Sequence, residues 1–99
     1  MPTLATKFKK PLAKKIMVSD ESLTVELEDG RTISVPTAWY PRLFYSSKKE
    51  RKNWRLIGKG EGIHWELIDE DLSVESLLAG NPSEESQSSL KKWLDSRKK

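Results

Sequence analysis

The chain has 99 residues, of which 33% are charged and 35% hydrophobic, with a formal net charge of +3 and no cysteine. This length suits one domain with a modest core. The lack of cysteine excludes disulfides, thiolate metal sites and a thiol nucleophile. No apolar stretch approaches the roughly 20 residues that a membrane helix needs, and the basic N-terminus lacks the apolar segment of a signal peptide. We therefore expect a cytoplasmic protein with no membrane partner.

The charges lie in blocks of alternating sign. Residues 1–15 carry +5, 16–47 carry −3, 48–60 carry +5, 61–90 carry −8 and 91–99 carry +4. Such blocks indicate docking against a charged partner, or a folded surface that complements itself. They differ from the uniform basic stripe that is typical of nucleic-acid-binding domains.

The first third of the chain predicts an arm followed by a β-meander. Residues 1–13 are rich in lysine and broken by prolines, so we expect a basic, flexible arm. Strands over residues 15–19 and 23–28 follow, the second with clear alternation of apolar and polar residues. The pair Asp29 and Gly30 then predicts a type I′ hairpin turn into a strand over residues 31–35.

Two short helices are predicted after this hairpin. The first begins near residues 38–41, because Pro41 is tolerated only in the first turn of a helix. The second covers residues 48–54, with Ser47 as its N-cap and Glu50 placed to complete a capping box. We expect the first of them to pack against the sheet.

The next elements are short strands and a third helix. Short extended segments are expected over residues 55–57 and 63–65, on either side of a glycine-rich turn. Ser73 is placed to cap a helix over residues 74–79, and Gly80 is placed to end it in the left-handed conformation.

The last segment, residues 81–99, is predicted to form an amphipathic helix over residues 84–97 with Ser83 as its N-cap. Its apolar face consists of Leu90, Trp93 and Leu94. A helix with so few apolar residues needs a surface to pack on. That surface belongs either to this domain or to a partner, and the sequence leaves both possibilities open.

Together the elements predict an α+β fold. Residues 14–80 form a single domain, in which a small antiparallel sheet with an N-terminal β-hairpin meander packs against short helices. The C-terminal amphipathic helix lies in a separate tail, residues 81–99.

The glycine-rich turn and the single histidine are the residues most suggestive of chemistry. Gly58, Gly60 and Gly62 alternate, which resembles a phosphate loop but lacks the spacing and the following helix of a dinucleotide fingerprint. A tight turn between strands is the better interpretation. His64 has no cysteine or second histidine to share a metal with. We expect His64 to be structural or part of an interface, and we predict no catalytic residue, metal or cofactor.

Two charged segments are candidate binding surfaces. The acidic residues Glu66, Asp69, Glu70 and Asp71 form either a solvated loop or a face that docks a basic partner. The basic segment, residues 48–59, could instead contact nucleic-acid phosphates. Its candidate residues are Lys48, Lys49, Arg51, Lys52 and Arg55.

The order of motifs from residue 14 to residue 80 resembles one family. After the Asp-Gly hairpin come WYPRL at 39–43, NWRLIG at 53–58, GEGIHW at 60–65, IDEDLSV at 68–74 and LLAG at 77–80. This string closely resembles the bacterial family known as domain of unknown function 2442. The resemblance implies a small α+β fold with an N-terminal sheet. It also implies the antitoxin half of a toxin–antitoxin pair, partnered by a small companion protein.

Some members of that family carry a fused helix-turn-helix, whereas only 19 residues follow Gly80 in this chain, too few for such a domain, so we do not expect direct sequence-specific reading of DNA. The resemblance and the acidic charge block together predict a non-enzymatic, antitoxin-like module that binds a small basic companion, with a homodimer also compatible. The residues expected to bind the partner are Glu66, Asp69, Glu70, Asp71, Leu90, Trp93 and Leu94. The alternative is a small nucleic-acid-associated regulator that binds through the basic segment.

Overall fold

The structure, a computed structural model, describes residues 10–98. Most of the arm expected over residues 1–13 lies outside the described residues. Its last residues are part of the fold instead. Ala13 is fully buried in the first strand, and the carbonyl of Leu12 accepts a hydrogen bond from the amide of Glu28 at 2.9 Å.

The N-terminal sheet is an antiparallel meander of three strands, in the order β1-β2-β3. They are β1 (Ala13–Val18), β2 (Ser22–Leu27) and β3 (Thr32–Pro36). The alternation of β2 puts Leu23, Val25 and Leu27 on the buried face, as a period of two requires. The predicted hairpin is thus confirmed.

The turn of that hairpin differs from the predicted type I′ turn. Only Gly30 of the pair has positive φ, at 97°. Its amide donates to the carbonyl of Leu27 at 3.1 Å, and the amide of Leu27 donates to the carbonyl of Arg31 at 2.8 Å. Asp29 does not adopt a positive φ. Its carboxylate accepts a hydrogen bond from the Arg31 amide. This longer loop needs one positive φ, which glycine supplies.

A 3₁₀ turn (Thr37–Trp39) and helix α1 (Pro41–Phe44) follow the first sheet. The helix starts at Pro41, within the predicted range of residues 38–41, and the proline occupies its first turn. Leu43 of this short helix is fully buried, so α1 packs into the core as expected.

Helix α2 (Lys48–Lys52) carries the predicted capping box. The Ser47 hydroxyl accepts from the Glu50 amide at 3.1 Å, and the Glu50 carboxylate accepts from the Ser47 amide at 2.8 Å. The helix ends earlier than predicted, because Trp54 begins a strand and pairs with Trp65 across the second sheet.

The second sheet is also antiparallel, in the order β4-β5-β6. Its strands are β4 (Trp54–Ile57), β5 (Gly62–Trp65) and β6 (Glu70–Ser73). The sequence did not predict β6, because its four residues include a single apolar one. Leu72 pairs with Ile63, and backbone pairing to β5 holds this polar edge strand in place.

The glycine-rich turn connects β4 to β5 and packs against β1 of the first sheet. A Cβ atom on Gly60 would lie 2.7 Å from the carbonyl oxygen of Ala13 in β1, and the φ of Gly60 is 110°. The position therefore needs glycine for backbone packing. This confirms a tight turn and gives the glycines a structural role.

Helix α3 (Val74–Ala79) begins and ends as predicted. The Ser73 hydroxyl accepts from the Ser76 amide, and Gly80 has φ 78° in the left-handed region. Helix α4 (Gln87–Ser96) starts later than predicted, because Ser86 is its N-cap. The Ser83 hydroxyl accepts from the Glu85 amide within the segment that precedes the helix.

One core lies between these elements. Its largest fully buried side chains are Trp65, Tyr40, Leu23, Leu27, Leu43, Ile63 and Ile68. The indole nitrogen of Trp65 donates to the carbonyl of Arg51 at 3.0 Å, so the polar end of this large side chain is satisfied. Within residues 10–98, every helix is too short or too polar to cross a membrane.

Candidate functional site

Residues 81–86, which we call the connector, link α3 to α4 and are held against the domain by α1. The Arg42 guanidinium donates to both carboxylate oxygens of Glu85, with a shortest distance of 2.6 Å, and to the carbonyl of Ile68 at 2.9 Å. The Tyr40 hydroxyl donates to the carbonyl of Asn81 at 2.6 Å. Because Arg42 bonds Glu85, the pKa of that carboxyl lies below its ordinary value.

The connector forms one wall of an open groove of about 820 Å³. Strand β6 forms the opposite wall, and the start of α3 and the glycine-rich turn complete it. Seven carboxylates line the groove, against the two cationic side chains of Lys10 and Arg42. These carboxylates are Glu61, Asp69, Glu70, Asp71, Glu75, Glu84 and Glu85.

Only some of these carboxylates have a partner among the residues that the structure describes. Glu85 is paired with Arg42, Glu61 lies 3.8 Å from the Lys10 ammonium, and Asp71 contacts His64. The remaining four have no cationic nitrogen within 4.0 Å among the residues that the structure describes. They are Asp69, Glu70, Glu75 and Glu84. The groove therefore presents uncompensated negative charge to an incoming cation.

Glu70 is the carboxyl most affected by this environment. It lies half-buried on β6, and burial raises its pKa to about 7. The negative charge of Glu85 acts in the same direction, and the charge of Arg42 opposes it. A cationic group placed in the groove would favour the ionised form of Glu70, since an opposite charge stabilises a carboxylate.

His64 lies on β5 between two carboxylates and is 13% exposed. Its Nδ1 contacts Asp71, its partner across the sheet, and its Nε2 lies 3.2 Å from Glu66. Arg55 approaches Glu66 at 3.7 Å. No group of three or more ligating side chains within residues 10–98 could hold a metal ion. His64 thus ties Glu66 and Asp71 to the second sheet.

Three of the four acidic residues predicted to bind a partner therefore lie in the groove. Asp69, Glu70 and Asp71 line the groove, and Glu66 lies outside it beside His64 and Arg55. Glu75 and Glu84 complete the groove and were not among the predicted site residues. The signal that could have found them is the acidic block over residues 61–90, which contains every carboxylate of this groove.

Helix α4 docks on its own domain through Trp93. This side chain packs against the core, with the guanidinium of Arg42 5.2 Å and that of Arg97 4.4 Å from its ring centroid. Leu90 and Leu94 line a shallow depression along the outer side of α4 and are half-buried. Of the three apolar residues predicted to bind a partner, Trp93 thus packs against the core of this chain, and partner binding by Leu90 and Leu94 stays a prediction.

Residues 14–83 match the sequence profile of a family described as proteins of unknown function, DUF2442. The chain belongs to the DUF2442 family. Two solved structures resemble this DUF2442 protein. A protein of unknown function from Rhodospirillum rubrum is 30% identical, over 83% of this chain and 99% of that chain, with a TM-score of 0.66.

The second structure is that of an uncharacterised protein from Chromobacterium violaceum. It is 16% identical, over 94% of the DUF2442 chain and 80% of its own, with a TM-score of 0.64, and this likeness shows the fold alone. No curated protein matches the chain. The family resemblance inferred from the motifs is therefore confirmed.

Of the five basic residues predicted to contact nucleic acid, four are exposed in the DUF2442 protein and one is buried. Lys48, Lys49 and Lys52 are exposed on α2, and Arg55 is exposed on β4. Arg51 is buried and donates to the carbonyls of Leu43 and Phe44 and to the carboxylate of Asp20. This corrects the predicted phosphate-binding set, because the Arg51 guanidinium is committed to the fold.

Proposed function

We propose that this DUF2442 protein is a non-enzymatic interaction module that binds a small basic companion protein through the acidic groove. The observation that carries this proposal is the charge of the groove, where seven carboxylates face two cationic side chains. Four of those carboxylates have no cationic partner among residues 10–98. A lysine- or arginine-bearing segment of the companion would supply the missing charges.

The groove offers such a segment more than charge. Leu72 and Ile57 contribute apolar surface between the carboxylates, which suits the aliphatic stems of lysine and arginine. The groove is also concave, and its walls are strand β6 and the connector, which Arg42 and Tyr40 hold by hydrogen bonds. Little rearrangement is therefore needed on binding. Complementary charge of this kind favours fast and selective association.

The role we propose is antitoxin-like, following the family resemblance, and it is exercised in the cytoplasm. An antitoxin needs a folded body and a segment that covers its toxin. In this chain the body carries the acidic groove, and α4 carries Leu90 and Leu94 on its outer side. Trp93 contributes indirectly, because it holds α4 in position.

The experiment is an affinity capture from nuclease-treated lysate of the source bacterium, comparing three forms of the full chain. They are the native protein, a groove variant and a charge-matched control. The groove variant is Glu75→Lys/Glu84→Lys, at two exposed carboxylates that have no ion pair within residues 10–98. The control is Glu21→Lys/Glu28→Lys, which reverses two exposed carboxylates next to the ends of β2.

The proposal expects one small basic protein to be retained stoichiometrically by the native and control chains and lost by the groove variant. Titration of the purified pair should then show affinity that falls with salt, as a charge-steered contact requires. Equal retention by the groove variant, or the absence of any basic protein from all three captures, would overturn the proposal.

A further inference from the structure

A second surface of the molecule combines exposed aromatic rings with uncompensated lysines. Phe44 is 41% exposed and Tyr45 is 53% exposed, and their ring centroids lie 5.2 Å apart in an edge-to-face arrangement. The preceding residue, Leu43, is fully buried and anchors α1 in the core. The two rings are therefore held at the surface by their neighbour, although they contribute little to the core themselves.

Helix α2 starts three residues after Tyr45 and carries Lys48, Lys49 and Lys52, all exposed. We call these three lysines, together with Phe44 and Tyr45, the ring–lysine surface. None of the three ammonium groups has a carboxylate within 4.0 Å in the part of the chain that the structure describes, residues 10–98. The lysines are thus available to a polyanion.

The acidic residues near this surface are already neutralised. Glu50, on the same helix as the lysines, is paired with Arg97, and Asp20 is paired with Arg51. The Arg97 bridge also holds the end of α4 next to α2, where the Lys98 ammonium lies 3.8 Å from the Asp95 carboxylate.

Arg51 fixes the spacing between the rings and the lysines. Its guanidinium donates to the carbonyls of Leu43 and Phe44, at 3.1 and 3.0 Å, from within α2. The end of α1 and the body of α2 are therefore tied together by a buried side chain. A ligand that contacts both the rings and the ammonium groups meets a preformed surface.

We propose that the ring–lysine surface binds single-stranded nucleic acid. Exposed rings stack on unpaired bases without regard to sequence, and lysines contact the phosphates between them. A double helix fits less well, because its bases are already stacked and α2 has only five residues, too few to follow a groove. This function uses a different surface from the acidic groove and stands independently of the companion protein.

The test is fluorescence anisotropy with a labelled 15-nucleotide poly(U) RNA, on the purified full chain at several salt concentrations. Tyr45→Leu and the double variant Phe44→Leu/Tyr45→Leu keep apolar bulk and remove the ring faces, with folding checked by thermal melting. Lys48→Ala/Lys49→Ala removes two phosphate contacts. Controls are Met17→Ala, an exposed apolar residue of β1, and Lys14→Ala/Lys15→Ala, two exposed lysines of β1.

We expect the double ring variant to weaken binding about tenfold with an unchanged salt slope, because stacking carries no counterion. The lysine variant should weaken binding and make the slope of log K against log salt shallower by about 1.4. Both controls should bind as the native chain does, and a 15-base-pair duplex should bind more weakly.

Three results would overturn the proposal. One is no salt-dependent binding of the RNA even at low ionic strength. Another is that Phe44→Leu/Tyr45→Leu binds the RNA as tightly as the native chain does. The rings would then play no part, and the lysines would be a general anion site. The third is binding of a poly-glutamate peptide as tightly as the RNA, which would assign the lysines to an acidic protein partner.

Discussion

Arg97 and Glu50 form a bidentate ion pair that joins the end of α4 to α2. Nη1 of Arg97 donates to one carboxylate oxygen at 2.9 Å and Nη2 donates to the other at 2.8 Å. The same guanidinium stacks on Trp93. Since no residue of α4 is fully buried, this pair and the Trp93 contact are the main attachments of the C-terminal half of the helix.

Substituting Arg97 by alanine should loosen α4 without unfolding the domain. The change removes a partly exposed ion pair and one cation–π contact, which together stabilise docking by about 1 kcal/mol. Amide exchange of residues 87–96 should then speed up about fivefold, whereas exchange in the two sheets should not change. Lys91→Ala, at an exposed cation of α4 that has no ion pair within residues 10–98, is the control. Unchanged exchange in α4 would show that Arg97 does not hold the helix.

The same pair makes α4 docking sensitive to acid. The hydrogen bonds from Arg97 lower the pKa of Glu50 from an ordinary 4.5 to about 2. A carboxyl with a lowered folded-state pKa stabilises the docked form above pH 4.5, and this stabilisation is lost as the pH falls towards 2. The indole N–H resonance of Trp93 should therefore shift over that range in the native chain. An identical shift in Arg97→Ala would rule out the pair as its cause.

Glu70 should show the opposite dependence. Burial raises its pKa to about 7, so the folded state binds this proton more tightly than the unfolded state does. The resulting stabilisation is complete below pH 4.5 and is lost as the pH rises through 7. Glu70→Gln should therefore be about 1–2 kcal/mol more stable than the native chain at pH 8 and no more stable at pH 4. Urea unfolding at both pH values measures this, with Glu75→Gln as the control.

Binding of the basic companion should release protons near neutral pH. At pH 7 a substantial fraction of Glu70 is protonated, and a cation in the groove would stabilise its ionised form. Calorimetric titrations in two buffers of different ionisation enthalpy should then give different binding enthalpies. The difference should vanish in Glu70→Gln. A buffer-independent enthalpy for the native chain would place the companion away from Glu70.

The sequence predicted the features that depend on neighbouring residues. The hairpin, the capping box at Ser47 and the αL glycine at Gly80 were correct, because each follows from local hydrogen bonding and backbone freedom. Strand β6 was missed, because four polar-rich residues show no useful periodicity. Its position depends on pairing with β5, which a local pattern does not contain.

The groove was only partly predictable for a similar reason. The block of acidic residues is visible in the sequence, but its concave shape depends on the contact between Arg42 and Glu85, 43 residues apart. Nothing local to Arg42 distinguishes it from an exposed arginine. Likewise, the buried position of Arg51 inside a basic run follows from the carbonyls that the fold presents to it.

Substitutions at Leu94 and Trp93 distinguish two roles of α4, namely its docking on the domain and its proposed binding of the companion. Leu94→Ala should weaken the companion complex by more than about 1 kcal/mol if this outer residue is an anchor, with no change in amide exchange of α4. Trp93→Phe keeps an aromatic ring for Arg97, so it should change neither the affinity for the companion nor the amide exchange of α4. Trp93→Ala should instead speed up exchange in α4 and weaken the complex only through that loss of order. Isothermal titration and hydrogen exchange on the same samples distinguish these cases. Native affinity in Leu94→Ala would remove α4 from the interface and leave the acidic groove as the binding surface.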